Sequence, residues 1–177
     1  LTDEGVYKVN PANKKSEKVV EGKDSFDIAV FVGNVYLLST SAIYKYVPVE
    51  GGYVAGADYV QGASFDTGSR MAIDGSVWVT KGDKILKYLK GTDQNFTISG
   101  LSTPNGQFGN IYTTADMDNL YVVDSTNKAL LSIGKDDGIF KKAYQADEFG
   151  QLTGLVVDEV EGKIYISVDN KILQADL

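Results

Sequence analysis

The chain contains no cysteine and no histidine among its 177 residues. Without cysteine there is no disulfide, no thiol nucleophile and no thiolate metal site, and the redox compartment is left open. Without histidine there is no Ser-His-Asp triad, no haem-ligating imidazole and no ordinary zinc site. The commonest general base near neutral pH is also missing. Catalysis would have to come from carboxylates, lysines, tyrosines or a hard metal held by oxygens. Proline is scarce, with three residues (Pro11, Pro48, Pro104), all placed in turns or strand ends. No apolar run approaches the roughly 18 residues of a membrane span, so no membrane insertion is expected. The opening residues, Leu1-Thr2-Asp3-Glu4, do not form a charged-then-apolar signal. They lead us to expect that upstream sequence has been removed, and they leave the localisation undetermined. Excess positive charge is lacking too, since the net charge is −7. The clusters Lys14-Lys15-Lys18 and Lys81-Lys84-Lys87-Lys90 read as solvated strand faces, not as a nucleic-acid surface. Neither GxxxxGK[ST] nor a strand-linked GxGxxG occurs.

What is present favours β-structure. Glycine (19), tyrosine (11) and valine are abundant, and no convincing amphipathic helix can be traced. The stretch Asn119–Ile133 sets the plan. Leu120-Tyr121-Val122-Val123 reads as a buried strand, Asp124-Ser125-Thr126-Asn127 as turn chemistry, and Ala129–Ile133 as a second strand. The plan recurs at 34–46, 76–88 and 163–175. Each first strand carries an aromatic residue between apolar ones: Tyr36, Trp78, Tyr121 and Tyr165. The next strand's first apolar residue follows 7 residues after Tyr36, Trp78 and Tyr165, and 9 after Tyr121. Those apolar residues, Ile43, Ile85, Leu130 and Ile172, succeed one another at 42, 45 and 42 residues. Several strands per period of roughly 40–50 residues point to propeller blades.

The fold class expected is therefore all-β, a β-propeller of four-stranded antiparallel blades, with about four to five blades in one domain spanning 1–177. A partial blade (5–20) supplies a third strand, Gly5–Val9, and an outer strand, Lys15–Val20. Three blades follow at 26–60, 68–99 and 109–145. Their innermost strands are placed at Phe26–Val32, Arg70–Asp74 and Ile111–Ala115. Their outermost strands are placed at Tyr53–Val60, Gln94–Ser99 and Ile139–Tyr144. The last blade, 152–176, has Gly154–Asp158 innermost and no outer strand. Closure would add Lys15–Val20 to the edge of Lys171–Ala175, or a strand of another chain or of missing upstream blades would pair there.

In a four-stranded meander the inter-blade loops and the hairpins between second and third strands share one face, and sites sit on such loops. Each inter-blade connection carries one phenylalanine before an innermost strand: Phe26-Asp27, Phe65-Asp66, Phe108-Gly109 and Phe149-Gly150. These rings read as packing plugs, or alternatively as an aromatic ring at the channel mouth. Gln61–Ser69 and Leu101–Asn110 are rich in Gly, Ser, Thr and Asn and suit a hydrogen-bonding rim. The candidate ligand-binding residues are Phe26, Asp27, Phe65, Asp66, Asn105, Phe108, Asn110 and Phe149. The aspartates 27, 66, 74, 116, 124, 158 and 169 fall at strand ends or turns, where Asp commonly anchors its own backbone. Asn95-Phe96-Thr97 matches a glycosylation acceptor within an expected strand.

Asn119–Asn127 resembles the repeat signature of NHL-type propellers, departing from it at Lys128-Ala129. Gly154-Leu155-Val156-Val157-Asp158 with Gly162–Ile166 is similar to YWTD and gluconolactonase-type propellers. These motifs specify a fold more than a function. The incomplete first blade leads us to expect a C-terminal segment of a longer propeller, the alternative being a complete small ring, and the six blades commonest in those families agree with missing upstream sequence. The expected function is a non-enzymatic scaffold engaging a protein, peptide or glycan through the loop face. The gluconolactonase resemblance implies an alternative, a calcium-dependent lactonase-like hydrolase, with calcium the one cofactor suggested. That family's early Glu and later Asn and Asp ligands do not map onto residues here. A structural or sensory repeat domain is the third reading.

Overall fold

The computed structural model describes residues 1–22, 24–54 and 58–177. They divide into two compact units, 1–67 with 90–92, and 68–89 with 93–177. In the first unit, β1 (Gly5–Asn10) and β2 (Lys15–Glu21) form a hairpin. They are followed by β3 (Ser25–Phe31), β4 (Asn34–Ser39), β5 (Ile43–Val49), β6 (Gly52–Val54) and β7 (Asp58–Val60). The second unit contains β8 (Met71–Ile73), β9 (Val77–Lys81) and β10 (Lys84–Leu89), whose sheet ends in the two-residue β11 (Thr92–Asp93). Next come β12 (Phe108–Tyr112), β13 (Asn119–Asp124), β14 (Ala129–Gly134) and β15 (Phe140–Gln145). A 3-10 turn at Asp147–Gly150 leads to β16 (Gly154–Asp158), β17 (Lys163–Val168) and β18 (Lys171–Asp176). Every blade sheet is an antiparallel meander in chain order.

The run Leu120-Tyr121-Val122-Val123 is apolar throughout because a blade buries both faces, and successive strand residues point to opposite ones. Leu120 and Val122 enter a core with Trp78 and Ile85 of the preceding sheet and Phe108 of their own. Tyr121 and Val123 enter a second core with Leu155, Val157, Ile164 and Ile166 of the following one. The β1–β2 hairpin does the same in the first unit, burying Val6 and Val20 against Val35, Leu37 and Tyr46. Tyr36, Trp78 and Tyr121 are buried as expected of the repeated aromatic position. Tyr165 is only half-buried, because it points away from the core that Ile164 and Ile166 join.

Several strands differ from their expected positions. The outer strand of the 68–99 blade is Thr92–Asp93, not Gln94–Ser99. The Asp93 carboxylate accepts the Asn95 N–H at 2.7 Å, and Asn95 turns the chain with φ 51°. Phe96 then stacks edge-on against Trp78, 5.0 Å between ring centres. Ser99 donates to the Gly138 carbonyl and accepts from the Phe140 N–H, at 3.0 and 2.9 Å. The alternating Phe96 and Ile98 thus mark contacts with the core between two blades, not a pleated strand. Asn95, the glycosylation-type asparagine, consequently sits exposed in a turn. The outer strand expected over 53–60 is two pieces, β6 and β7, both paired with β5; residues 55–57 of that stretch lie outside the described residues. The innermost strand expected at Ile111–Ala115 begins earlier, at Phe108, because Phe108 pairs with Asp124. Gly154–Asp158 falls where expected. Lys15–Val20 lies in β2, paired with β1, and β18 belongs to a three-stranded sheet.

Candidate functional site

The loop face is built by hydrogen bonds between each inter-blade connection and the neighbouring second-to-third-strand hairpin. In the first unit the Phe65 N–H donates to the Thr40 carbonyl at 2.9 Å. In the second unit the loop Leu101–Gln107 is held from both sides. Toward the 81–84 hairpin, Phe108 N–H donates to the Gly82 carbonyl (2.8 Å) and Asn105 Nδ2 to the Asp83 carbonyl (2.9 Å). Toward the 124–128 hairpin, Gly106 N–H donates to Asp124 Oδ2 and Gln107 N–H to Thr126 Oγ1, each at 2.9 Å. Ser125 returns two bonds to the Gln107 carbonyl, and Asn127 Nδ2 donates to that of Pro104.

Asp124 organises this seam. It is 2% exposed, and it also accepts the Asn127 N–H (3.0 Å) and Asn127 Nδ2 (2.7 Å). A buried carboxylate held by several N–H donors needs no cation. Its place in an Asp-Ser-Thr-Asn turn follows from the local turn chemistry. Gly106 is required by close approach, since a Cβ there would lie 2.4 Å from Asp124 Oδ1 and 2.5 Å from Thr126 Cβ.

The expected site residues divide by burial. Phe65, Phe108 and Phe149 are buried, with 1–4% exposure. Phe108 and Phe149 join the two inter-blade cores of the second unit. Phe26 and Asp27 are half-buried in β3, where the Asp27 carboxylate accepts the Ile28 N–H. Asp66 is exposed. Asn105 bonds the Asp83 hairpin, whereas Asn110 Nδ2 reaches the Thr153 carbonyl at 3.4 Å. The two asparagines thus bind different seams. Among the described residues, no three acidic side chains converge as metal ligands. Asp74, one of the expected carboxylates, is instead in a largely buried ion pair with Lys135 at 2.8 Å. It also accepts the Trp78 Nε1–H at 3.0 Å. Burial, reinforced by a hydrogen bond to Glu159, raises the Tyr121 phenol well above its usual range.

Sequence reasoning missed a groove at the outer edge of the 71–93 sheet. It has a volume of about 470 Å³ and lies between Asp83–Leu86 of the β10 hairpin and the departing segment Asn95–Ile98. Its signal was the Asp93-Gln94-Asn95 turn, legible as turn chemistry but masked by the alternation of Phe96 and Ile98. A smaller cavity of about 160 Å³ lies behind Leu101–Asn105 against β14 and β15.

Stacked antiparallel meanders sharing cores on both faces are the architecture of a β-propeller. No protein-family model and no curated protein sequence matches the chain. Solved structures do. One is a selenomethionine-substituted virginiamycin B lyase from Staphylococcus aureus, with TM-score 0.53 and 16% identity, matched over 86% of this chain and 55% of that one. Another is the extracellular domain of a protein assigned as a one component system from B. thetaiotaomicron. Its TM-score is 0.61 with 15% identity, over 99% of this chain and 26% of that one. The chain thus spans about half, or less, of the proteins it resembles. At these identities the likeness establishes the fold, a β-propeller, and not an activity.

Proposed function

We propose that this is a non-enzymatic propeller module of NHL or YWTD type that engages a protein, peptide or glycan through its inter-blade loop face. The observation that carries the reading is the double anchoring of Leu101–Gln107. A polar loop fixed from both sides loses little freedom on binding, so its hydrogen-bonding groups act at small entropic cost. The lack of histidine in the sequence and the turn-forming role of Asp124 favour recognition over hydrolysis. The Asn119–Asn127 turn, with Asp124 bonding the preceding loop, supports the NHL-type kinship.

Arrays of peptides and glycans probed with the wild-type chain and with Asn105→Ala, Asn110→Ala and Asp66→Asn variants test the reading. The expected result is a defined set of bound ligands that at least one variant weakens fivefold or more with little change in melting temperature. An array with no reproducible ligand, or ligands bound equally by all variants, overturns it. Calorimetric titration with calcium separates the lactonase-like reading, which requires a stoichiometric ion.

A further inference from the structure

We propose that the groove along the outer edge of β10 accepts an extended cationic peptide as an added β-strand. This surface adjoins the loop-face contacts proposed above, since Asp83 and Asn105 line both, and it extends from them along β10. Antiparallel blades have four strands, yet β10 spans six residues and β11 only two. Over Lys84–Leu86 no strand pairs with the outer side of β10 among the described residues. The chain that would fill this place is held elsewhere. The Asp93–Asn95 turn directs it outward, and the bonds of Ser99 to Gly138 and Phe140 fix its far end on the next blade. Gly138 makes that docking possible, since a Cβ there would lie 2.1 Å from the Thr97 carbonyl.

The vacated space has the properties of a strand-accepting site. A strand edge presents unpaired N–H and C=O groups that template another extended chain. Ile85, Phe96 and Ile98 supply an apolar floor, and Asp83, Asp93 and Asn95 line the rim. The volume of about 470 Å³ falls in the usual range for ligand sites. Two rim carboxylates face one lysine, Lys84, so the charge balance selects a peptide carrying Lys or Arg between apolar residues. Sugar recognition would instead call for an exposed ring face, and Phe96 is committed edge-on to Trp78.

Trp78 is the only tryptophan and touches the groove's floor through Phe96, so its fluorescence reports occupancy. The probe is the capped pentapeptide Thr-Val-Lys-Val-Thr. Controls are the same peptide with Glu for Lys, the same peptide N-methylated at alternate amides, and cellohexaose. We expect the lysine peptide to give a saturable fluorescence change below about 1 mM. The glutamate peptide should bind at least fivefold more weakly, and the N-methylated peptide should not saturate. Asp83→Asn should weaken the lysine peptide at least threefold, whereas Asn110→Ala, on the other seam, should leave it unchanged. Absence of saturation, equal binding of the glutamate or N-methylated peptide, or saturation by cellohexaose alone would overturn the proposal. Loop-face ligands lost with Asn110→Ala while this peptide still binds would separate the two surfaces.

Discussion

A few side chains fix the blade geometry, and each makes a distinct prediction. Gly106→Ala places a methyl group inside the contact radius of Asp124 and Thr126. Overpacking of this kind costs about 1–3 kcal/mol, so the melting temperature should fall, with the loss measured by denaturant unfolding. Trp78 is buried beneath Phe96 and Lys87, whose Nζ lies 4.6 Å from the ring centre. Trp78→Ala should destabilise by about 3–5 kcal/mol. Native Trp78 fluorescence should be blue-shifted relative to free indole, and a solvent-like emission would contradict its burial. Tyr121 makes a pH-dependent prediction. Its folded pKa is raised, by burial first and the Glu159 bond second. An unfolded tyrosine titrates near 10. Above that pH the native state retains a proton that the unfolded chain releases, so stability present below about pH 10 declines as pH rises. Tyr121→Phe should flatten this alkaline decline in stability-versus-pH curves.

At the scale of elements, the β1–β2 hairpin is part of a core. Val6 and Val20 cover Val35, Leu37 and Tyr46. Deleting residues 1–22 should therefore uncover that apolar surface, lower the melting temperature and increase binding of a hydrophobic dye. Unchanged melting would show that the hairpin contributes nothing to the first unit's core. The segment 94–99 illustrates how elements are misread. Phe96 and Ile98 alternate as a strand would, and intrinsic β-propensity agrees. The hydrogen bonds go instead to Gly138 and Phe140 of the next sheet, a partner 40 residues away that no local pattern names. Phe65, Phe108 and Phe149 teach a related lesson. Their recurrence before innermost strands was legible, but whether each ring faced ligand or core depended on what lay opposite, and all three are buried.

At the scale of the whole molecule, almost all regular structure is strand, with a single short 3-10 turn among the described residues. Far-ultraviolet circular dichroism should show a β-sheet spectrum, and more than about a quarter helix would be incompatible with blades. The repeat itself was decided by sequence. The 42- to 45-residue spacing of Ile43, Ile85, Leu130 and Ile172 marks a repeated unit with one apolar–aromatic pattern, whose strand pair is buried at Ile43, Ile85 and Leu130 while Ile172 stays exposed. Turn chemistry at Asp124–Asn127 was equally local, because short polar side chains bond the adjacent backbone. Tertiary structure alone decided which segment closes each blade, which carboxylate is an ion-pair partner, and where the groove lies. Asp74 meets Lys135 and Ser99 meets Gly138 across sequence separations where no periodicity operates. Such contacts are selected by the space left after both neighbouring blades have packed.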